Sequence, residues 1–191
     1  MDTTDTMVEP KRRRFTIEEY HRLGEAGILR HGERLELIEG EIFQMSPIGR
    51  VHAGTVDRIL DVFRRLGDRA GVRVGGPVLL ADLASEPQPD LTLLIRRPDF
   101  YTSGHPEPGD IFLVVEVMDT SIAFDRRVKL PLYARAGVAE VWLVNVNTRR
   151  IEDYRQPSPA GYAESRFAEG DEPLSIQAFP EVTFTVRELL G

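Results

Sequence analysis

Asp90, Glu116 and Lys129 are the residues of this chain whose types and spacing could do chemistry. Asp90 follows Pro89 and opens the apolar run Leu91-Thr92-Leu93-Leu94-Ile95, and Glu116 sits inside the run Ile111 to Val117. An ionised carboxylate among valines and leucines is costly to bury unless it is paired or ligates a metal, so its presence there marks a site. The two acids stand 26 positions apart, each on or beside a predicted strand. Neighbouring strands would bring them together at one end of a sheet as hard oxygen donors suited to Mg2+ or Mn2+. Lys129 lies 13 positions after Glu116 in a predicted helix that can carry its ammonium back over the same end. Two acids and a lysine are what metal-assisted phosphodiester cleavage requires. The metal polarises a phosphoryl oxygen and acidifies a bound water, and the ammonium steadies that water or the developing charge.

Taken singly, each residue has a plainer reading. Asp90 could end a turn, Glu116 could be a buried acid paired with Arg126 or Lys129, and Lys129 could be a solvated helix residue. The elements around them decide whether they meet. Thr16 and Glu19 form a capping-box pattern, and Ile17, Tyr20, Leu23 and Leu29 give an apolar stripe that predicts a first helix ending near Gly32. Residues 34–45 read as two strands about a turn at Glu39-Gly40. Glu36 lies there between Leu35 and Leu37; with the leucines facing the core it points to the other side, where a solvated residue is at least as natural as a catalytic one. Val56, Ile59, Leu60, Phe63 and Leu66 make residues 51–70 the strongest amphipathic helix, with His52 near its start to cap, pack or reach a cleft.

Strands follow over 72–80, broken at Gly75-Gly76-Pro77, and over 88–95; a Pro- and Gly-bearing loop over 96–110 carries Arg96, Arg97, Phe100, Tyr101 and His105. Residues 111–117 read as a strand covered on both faces, 121–136 as a helix ending at Gly137 and bent or restarted by Pro131, and 138–145 as a second buried strand. Together they form a βαβ-like crossover. Beyond Asn145, half-polar strands over 150–155, 162–167 and 174–176 suggest an antiparallel extension at the sheet edge, and Thr185 with Glu188 caps a short last helix.

Composition narrows the alternatives. The chain has 191 residues, 41% hydrophobic and 29% charged, enough for one globular domain with a continuous core. Residues 1–14, with the run Lys11-Arg12-Arg13-Arg14, read as a disordered, solvated tail in preference to a phosphate-binding arm, leaving 15–191 as a single domain. The absence of cysteine excludes disulfides, thiolate nucleophiles and Cys-based zinc sites. No apolar stretch approaches a membrane span and no signal-peptide core is present, so a cytoplasmic protein without a membrane partner is expected. The net charge of −7 argues against coating nucleic acid through bulk charge, though not against local phosphate binding. There is no Gly-x-Ser-x-Gly elbow, phosphate loop or His-Glu-x-x-His, and the histidines at 21, 31, 52 and 105 lack ligand spacing.

The ordered set Glu-Leu-Ile-Glu-Gly-Glu (36–41), Pro-Asp (89–90), Val-Val-Glu-Val (114–117), Asp125, Lys129, Tyr133, Ala136-Gly137-Val138 and Glu140-Val141-Trp142-Leu143-Val144 resembles the Uma-type family of restriction endonucleases. These are bacterial members of the PD-(D/E)XK nuclease superfamily, and the likeness runs from about Phe15 to Glu188. It implies an α/β (α+β) fold, a restriction-endonuclease-like mixed central sheet flanked by helices, and a DNA substrate cut with Mg2+, or Mn2+ in its place. It also implies Asp90 and Glu116 as metal ligands, Glu36 as a further glutamate completing the site, and Lys129 as a lysine supplied by the helix. In the wider superfamily that lysine stands two residues after the second acid, where this chain has Met118. Asp119 replaces an expected serine, and Asn145 stands where aspartate is commoner. A homodimer is expected because symmetric association is common and duplex cutting needs two sites. The competing reading is a nucleic-acid- or protein-binding module that keeps the fold without the activity.

Overall fold

A computed structural model describes residues 11–30 and 32–191. The tail expected over 1–14 lies outside the described residues up to residue 10. Lys11 to Arg14 have no regular secondary structure, yet Arg13 pairs with Glu19 and the Arg14 guanidinium donates to the Glu39 carbonyl at 2.8 Å. Helix α1 (Ile17–Glu25) carries the full capping box of Thr16 and Glu19. It ends well before Gly32, because residues 26–29 turn away; Gly27 takes φ 69° and Leu29 N–H reaches back to the Leu23 carbonyl.

Strands β1 (Leu35–Ile38) and β2 (Glu41–Gln44) form the expected hairpin. Its turn needs left-handed backbone at Glu39 (φ 49°) and Gly40 (φ 76°), the geometry that matches strand twist in a two-residue loop. A side chain at Gly40 would also stand 2.6 Å from the Arg14 β-carbon, so the glycine lets the N-terminal segment close over the turn.

The main sheet has six strands in the order β3-β4-β5-β6-β7-β8: β3 (Gly71–Val74), β4 (Leu91–Leu94), β5 (Ile111–Met118), β6 (Glu140–Asn145), β7 (Arg150–Ser158) and β8 (Gly161–Glu169). All neighbours are antiparallel except β5 and β6, which are parallel and joined by a helical crossover. The sheet is therefore mixed, as expected. Helix α2 (Arg50–Phe63) and the short α5 (Val186–Leu190) cover one face, against Leu113, Val115, Val117, Trp142 and Val144. The other face, carrying Val114, Met118, Val141 and Leu143, lies under the crossover helix through Leu132 and Tyr133. Because side chains alternate along a strand, Glu116 shares the second face with Val114 and Met118, beneath that helix.

The crossover begins as α3 (Ile122–Phe124), widens into a π turn at Asp125–Lys129 and continues as α4 (Leu130–Ala136) to a left-handed Gly137. The kink expected at Pro131 is realised as this wide turn. Proline has no N–H to give and its ring crowds the carbonyl four residues back, that of Arg127; in the turn before it Leu130 N–H bonds the Asp125 carbonyl, five residues back.

The expected C-terminal extension divides in two. β7 and β8 continue the main sheet, whereas β9 (Pro173–Ile176) and β10 (Phe179–Thr185) form a separate antiparallel hairpin against the α2 face, where Phe184 packs on Phe63 and Trp142. β10 was not expected, since Pro180 and a register shift between Phe179 and Thr183 obscure its alternation. Among the described residues no helix is long and apolar enough to cross a membrane.

Candidate active site

Asp90 directly precedes β4, and β4 pairs with β5 so that Leu91 faces Val115. Its carboxylate reaches across the strand pair: Oδ2 accepts the Val117 N–H at 2.7 Å and stands 3.0 Å from Nε2 of His52, on the first turn of α2. Glu116 therefore lies beside Asp90 at the same sheet end. β1 is tied to the segment before Asp90, with Glu86 N–H on the Leu37 carbonyl at 2.7 Å and Gln88 Nε2 on the Leu35 carbonyl at 3.0 Å. Glu36 is the residue between those two anchors, and it turns inward.

The crossover helix supplies the cation. Lys129 Nζ lies 3.0 Å from Glu36 Oε1 and 3.1 Å from Glu116 Oε1, and the Tyr133 hydroxyl donates to Glu116 Oε1 at 2.6 Å. Asp125, one turn before Lys129, is held by the Ser121 hydroxyl. Glu36, Glu116, Asp125 and Lys129 are each only 2% exposed. The structure thus brings all four sequence-identified residues, Glu36, Asp90, Glu116 and Lys129, to one cleft of about 290 Å³. Glu36 is not the solvated strand residue that alternation allowed, because both sides of β1 are covered here. The partner of Glu116 is Lys129; Arg126 pairs with Glu152 instead.

Electrostatics follow from composition. Glu36, Asp90, Glu116, Asp119 and Asp125 line the cleft against Lys129 and Arg34, whose guanidinium is turned to the Ser46 carbonyl. Burial pushes the Glu116 carboxyl well up, and the Asp125, Asp90 and Glu36 carboxylates push in the same direction against Lys129. Burial likewise raises Glu36 and Asp125. Burial by itself would lower the Lys129 ammonium, but Glu116, Glu36 and Asp125 more than offset it and hold it above the ordinary lysine range. An excess of buried negative charge that attracts protons also attracts a cation.

The donor set fits a hard divalent ion. Asp90, Glu116 and Glu36 offer carboxylate oxygens at one cleft, and Glu36 Oε2 is buried without a hydrogen-bond partner. Among the described residues no three such groups are gathered closely enough to enclose an ion outright. Mg2+ does not need this, since it commonly takes one or two carboxylates and keeps several waters.

Asp125, Tyr133 and His52 join Glu36, Asp90, Glu116 and Lys129 at the site. Asp125 and Tyr133 lie four residues either side of Lys129, a spacing present in the sequence. His52 had no comparable signal; its role comes from α2 crossing above Asp90, and its Nδ1 is buried without a partner. Asp119 lines the cleft beside Gly49, whereas Asn145 caps the β6–β7 turn, its Oδ1 accepting from Asn147 N–H and Thr148 N–H. Met118 is fully buried in the core, so the position two residues after Glu116 delivers no cation.

A mixed sheet thus presents two acids at one end of neighbouring strands, with a lysine folded over them from the crossover helix. Residues 17–187 match the Uma2 family, described as "Putative restriction endonuclease", and the chain belongs to that family. A solved structure from Anabaena variabilis, described as a putative nuclease belonging to DUF820, is similar with a TM-score of 0.65 at 18% identity, covering 92% of this chain and 97% of that one. A comparison with curated proteins gives no match.

Proposed function

We propose that the chain is a Mg2+-dependent DNA endonuclease hydrolysing phosphodiester bonds in the cleft of Asp90, Glu116, Glu36 and Lys129. The observation that carries this reading is the convergence of three carboxylates and a buried ammonium from four separate segments on one sheet end. Membership of the restriction-endonuclease family supports DNA as the substrate.

Asp90 and Glu116, with Glu36, are the residues that would hold the ion. When bound, it supplies Lewis-acid polarisation of the phosphoryl oxygen and makes a water more acidic. The protein's own groups do the rest. His52 and the Val117 N–H fix the Asp90 carboxylate, and the Tyr133 hydroxyl fixes that of Glu116. Glu36, with Oε1 on Lys129 and Oε2 left unpartnered, keeps one carboxylate oxygen open toward the ion. The Lys129 ammonium stays charged and steadies the negative charge that grows on the phosphoryl oxygens.

A second reading, a binding module that keeps the fold without the activity, draws on Lys129 already occupying the space between Glu36 and Glu116. Calorimetric titration with Mn2+ separates the two. A single site that weakens at least tenfold in Glu116→Gln, together with loss of metal-dependent hydrolysis of a labelled DNA duplex in that variant, supports the enzyme. Absence of Mn2+ binding, or hydrolysis unchanged in Glu116→Gln, sinks it.

A further inference from the structure

β8 forms one border of the main sheet and, among the described residues, pairs only with β7. Its middle, residues 163–167, is exposed on both faces, and Phe167 is 57% exposed. A free strand border is a template for another strand, and proteins guard such borders with proline, bulges or charges that repel the newcomer. β8 has no proline and keeps one register against β7 from Gly161 to Glu169.

Its charges are arranged about Ser165: Glu164, opposite Arg155 of β7 and bonded to Gln156, comes before it, and Arg166, opposite Asp153 of β7 and donating to the Pro173 carbonyl at 2.6 Å, comes after it. When two copies of β8 pair antiparallel about a two-fold axis at Ser165, Glu164 stands opposite Arg166 of the second copy, and Ala163 opposite Phe167, on both sides of the axis. Large faces small and acid faces base at every one of these positions. Moving the axis to residue 164 or 166 sets Glu164 against Glu164 or Arg166 against Arg166, so the pattern disfavours the two adjacent registers. The same charges that disfavour most other strands favour a copy of this one.

We infer that β8 is the seam of a homodimer in which two six-stranded sheets continue into one another through an isologous β8–β8 pair. This inference does not rest on the nuclease reading. The axis is perpendicular to the joined sheet, so the two β5 strands run in opposite directions and the two clefts open at opposite ends. Seven inter-strand steps separate the β5 strands, about 34 Å at the usual spacing. Each cleft in such a dimer acts alone.

The test is sedimentation of the full chain at low salt. A species of twice 21.6 kDa is expected. Arg166→Glu and Glu164→Arg should each weaken the dimer about tenfold or more, and the charge-swapped double variant should restore it. Ser165→Cys adds a check in a chain without cysteine. Residues opposite one another on the axis have Cα atoms about 4.5–5.5 Å apart, within disulfide reach, so mild oxidation should cross-link this variant. Ala163→Cys, four residues out of step with its counterpart, should stay uncross-linked. A monomeric wild-type chain would mean that this border is kept for a different strand or for none, and overturns the inference. So does a dimer indifferent to both charge reversals, or cross-linking at 163 in place of 165.

Discussion

Replacing Lys129 with Met asks whether the centre of the site is held by charge. The ammonium is buried at 2% exposure, 3.0 Å from Glu36 and 3.1 Å from Glu116. Met keeps most of the stem's volume and leaves two buried carboxylates without their cation. Removing one partner of a buried ion pair costs about 3–5 kcal/mol. Glu36 and Glu116 already bind protons more readily than ordinary glutamates, so they relieve part of the cost by protonation, and a loss of about 3 kcal/mol is expected at neutral pH. At about 2–4 °C per kcal/mol for a chain of this length, Tm should fall by roughly 6–12 °C. Urea unfolding followed by the fluorescence of Trp142, the single tryptophan, measures the same change. The double variant Lys129→Met with Glu116→Gln should recover most of the loss, because a buried pair replaced by neutral groups of similar volume is often no less stable. A single variant as stable as wild type, or a double variant no better than the single, would show that the lysine acts through packing and not through its charge.

Stability should also depend on pH through Glu140, which is fully buried on β6 beneath Arg155 and bonded to the Gln177 N–H at 2.7 Å. Burial, then the Asp153 carboxylate, push it from 4.5 up to about 7. The folded chain holds a proton that the unfolded chain has released, so this contribution is present below 4.5 and lost as pH rises to about 7, at most about 3 kcal/mol. Glu140→Gln should flatten that slope in urea titrations across this range, and an unchanged slope would contradict the assignment. Tyr133→Phe removes the hydroxyl that donates to Glu116 and should cost about 1–3 kcal/mol by urea unfolding; a cost near zero would show that the bond carries no weight. Pro131→Ala restores an N–H and frees the crossover to become a regular α-helix, which would rotate Asp125 and Lys129 out of the cleft. Mn2+ affinity should therefore change and Tm should fall, because Glu36 and Glu116 lose their buried cation, and unchanged affinity and Tm would show that the π turn does not depend on the proline.

The elements that position the site were legible because they obey local rules. The capping boxes at Thr16 and Thr185, the Glu39-Gly40 turn, the stripe of α2 and the apolar runs of β5 and β6 each follow from a few neighbouring residues. Asp90, Glu116 and Lys129 could be found because acids in apolar runs conflict with burial. Glu36 was readable from the residues only as ambiguous, since alternation says which side a residue faces and not what covers that side. His52 was readable only as a residue that could cap, pack or reach a cleft, since its partner lies 38 positions away on another element. β10 was hidden by Pro180 and a register irregularity, and the π turn showed only as a proline in the wrong place.

Incubation of supercoiled plasmid with the purified chain in Mg2+, in Mn2+ and in EDTA, beside a folded Asp90→Asn variant, tests the central claim most directly. A metal-dependent nuclease built on Asp90 should cleave with either metal, while EDTA and the variant should each give no cleavage and the circular dichroism of the two proteins should coincide. Cleavage that persists in EDTA or in Asp90→Asn would contradict that claim.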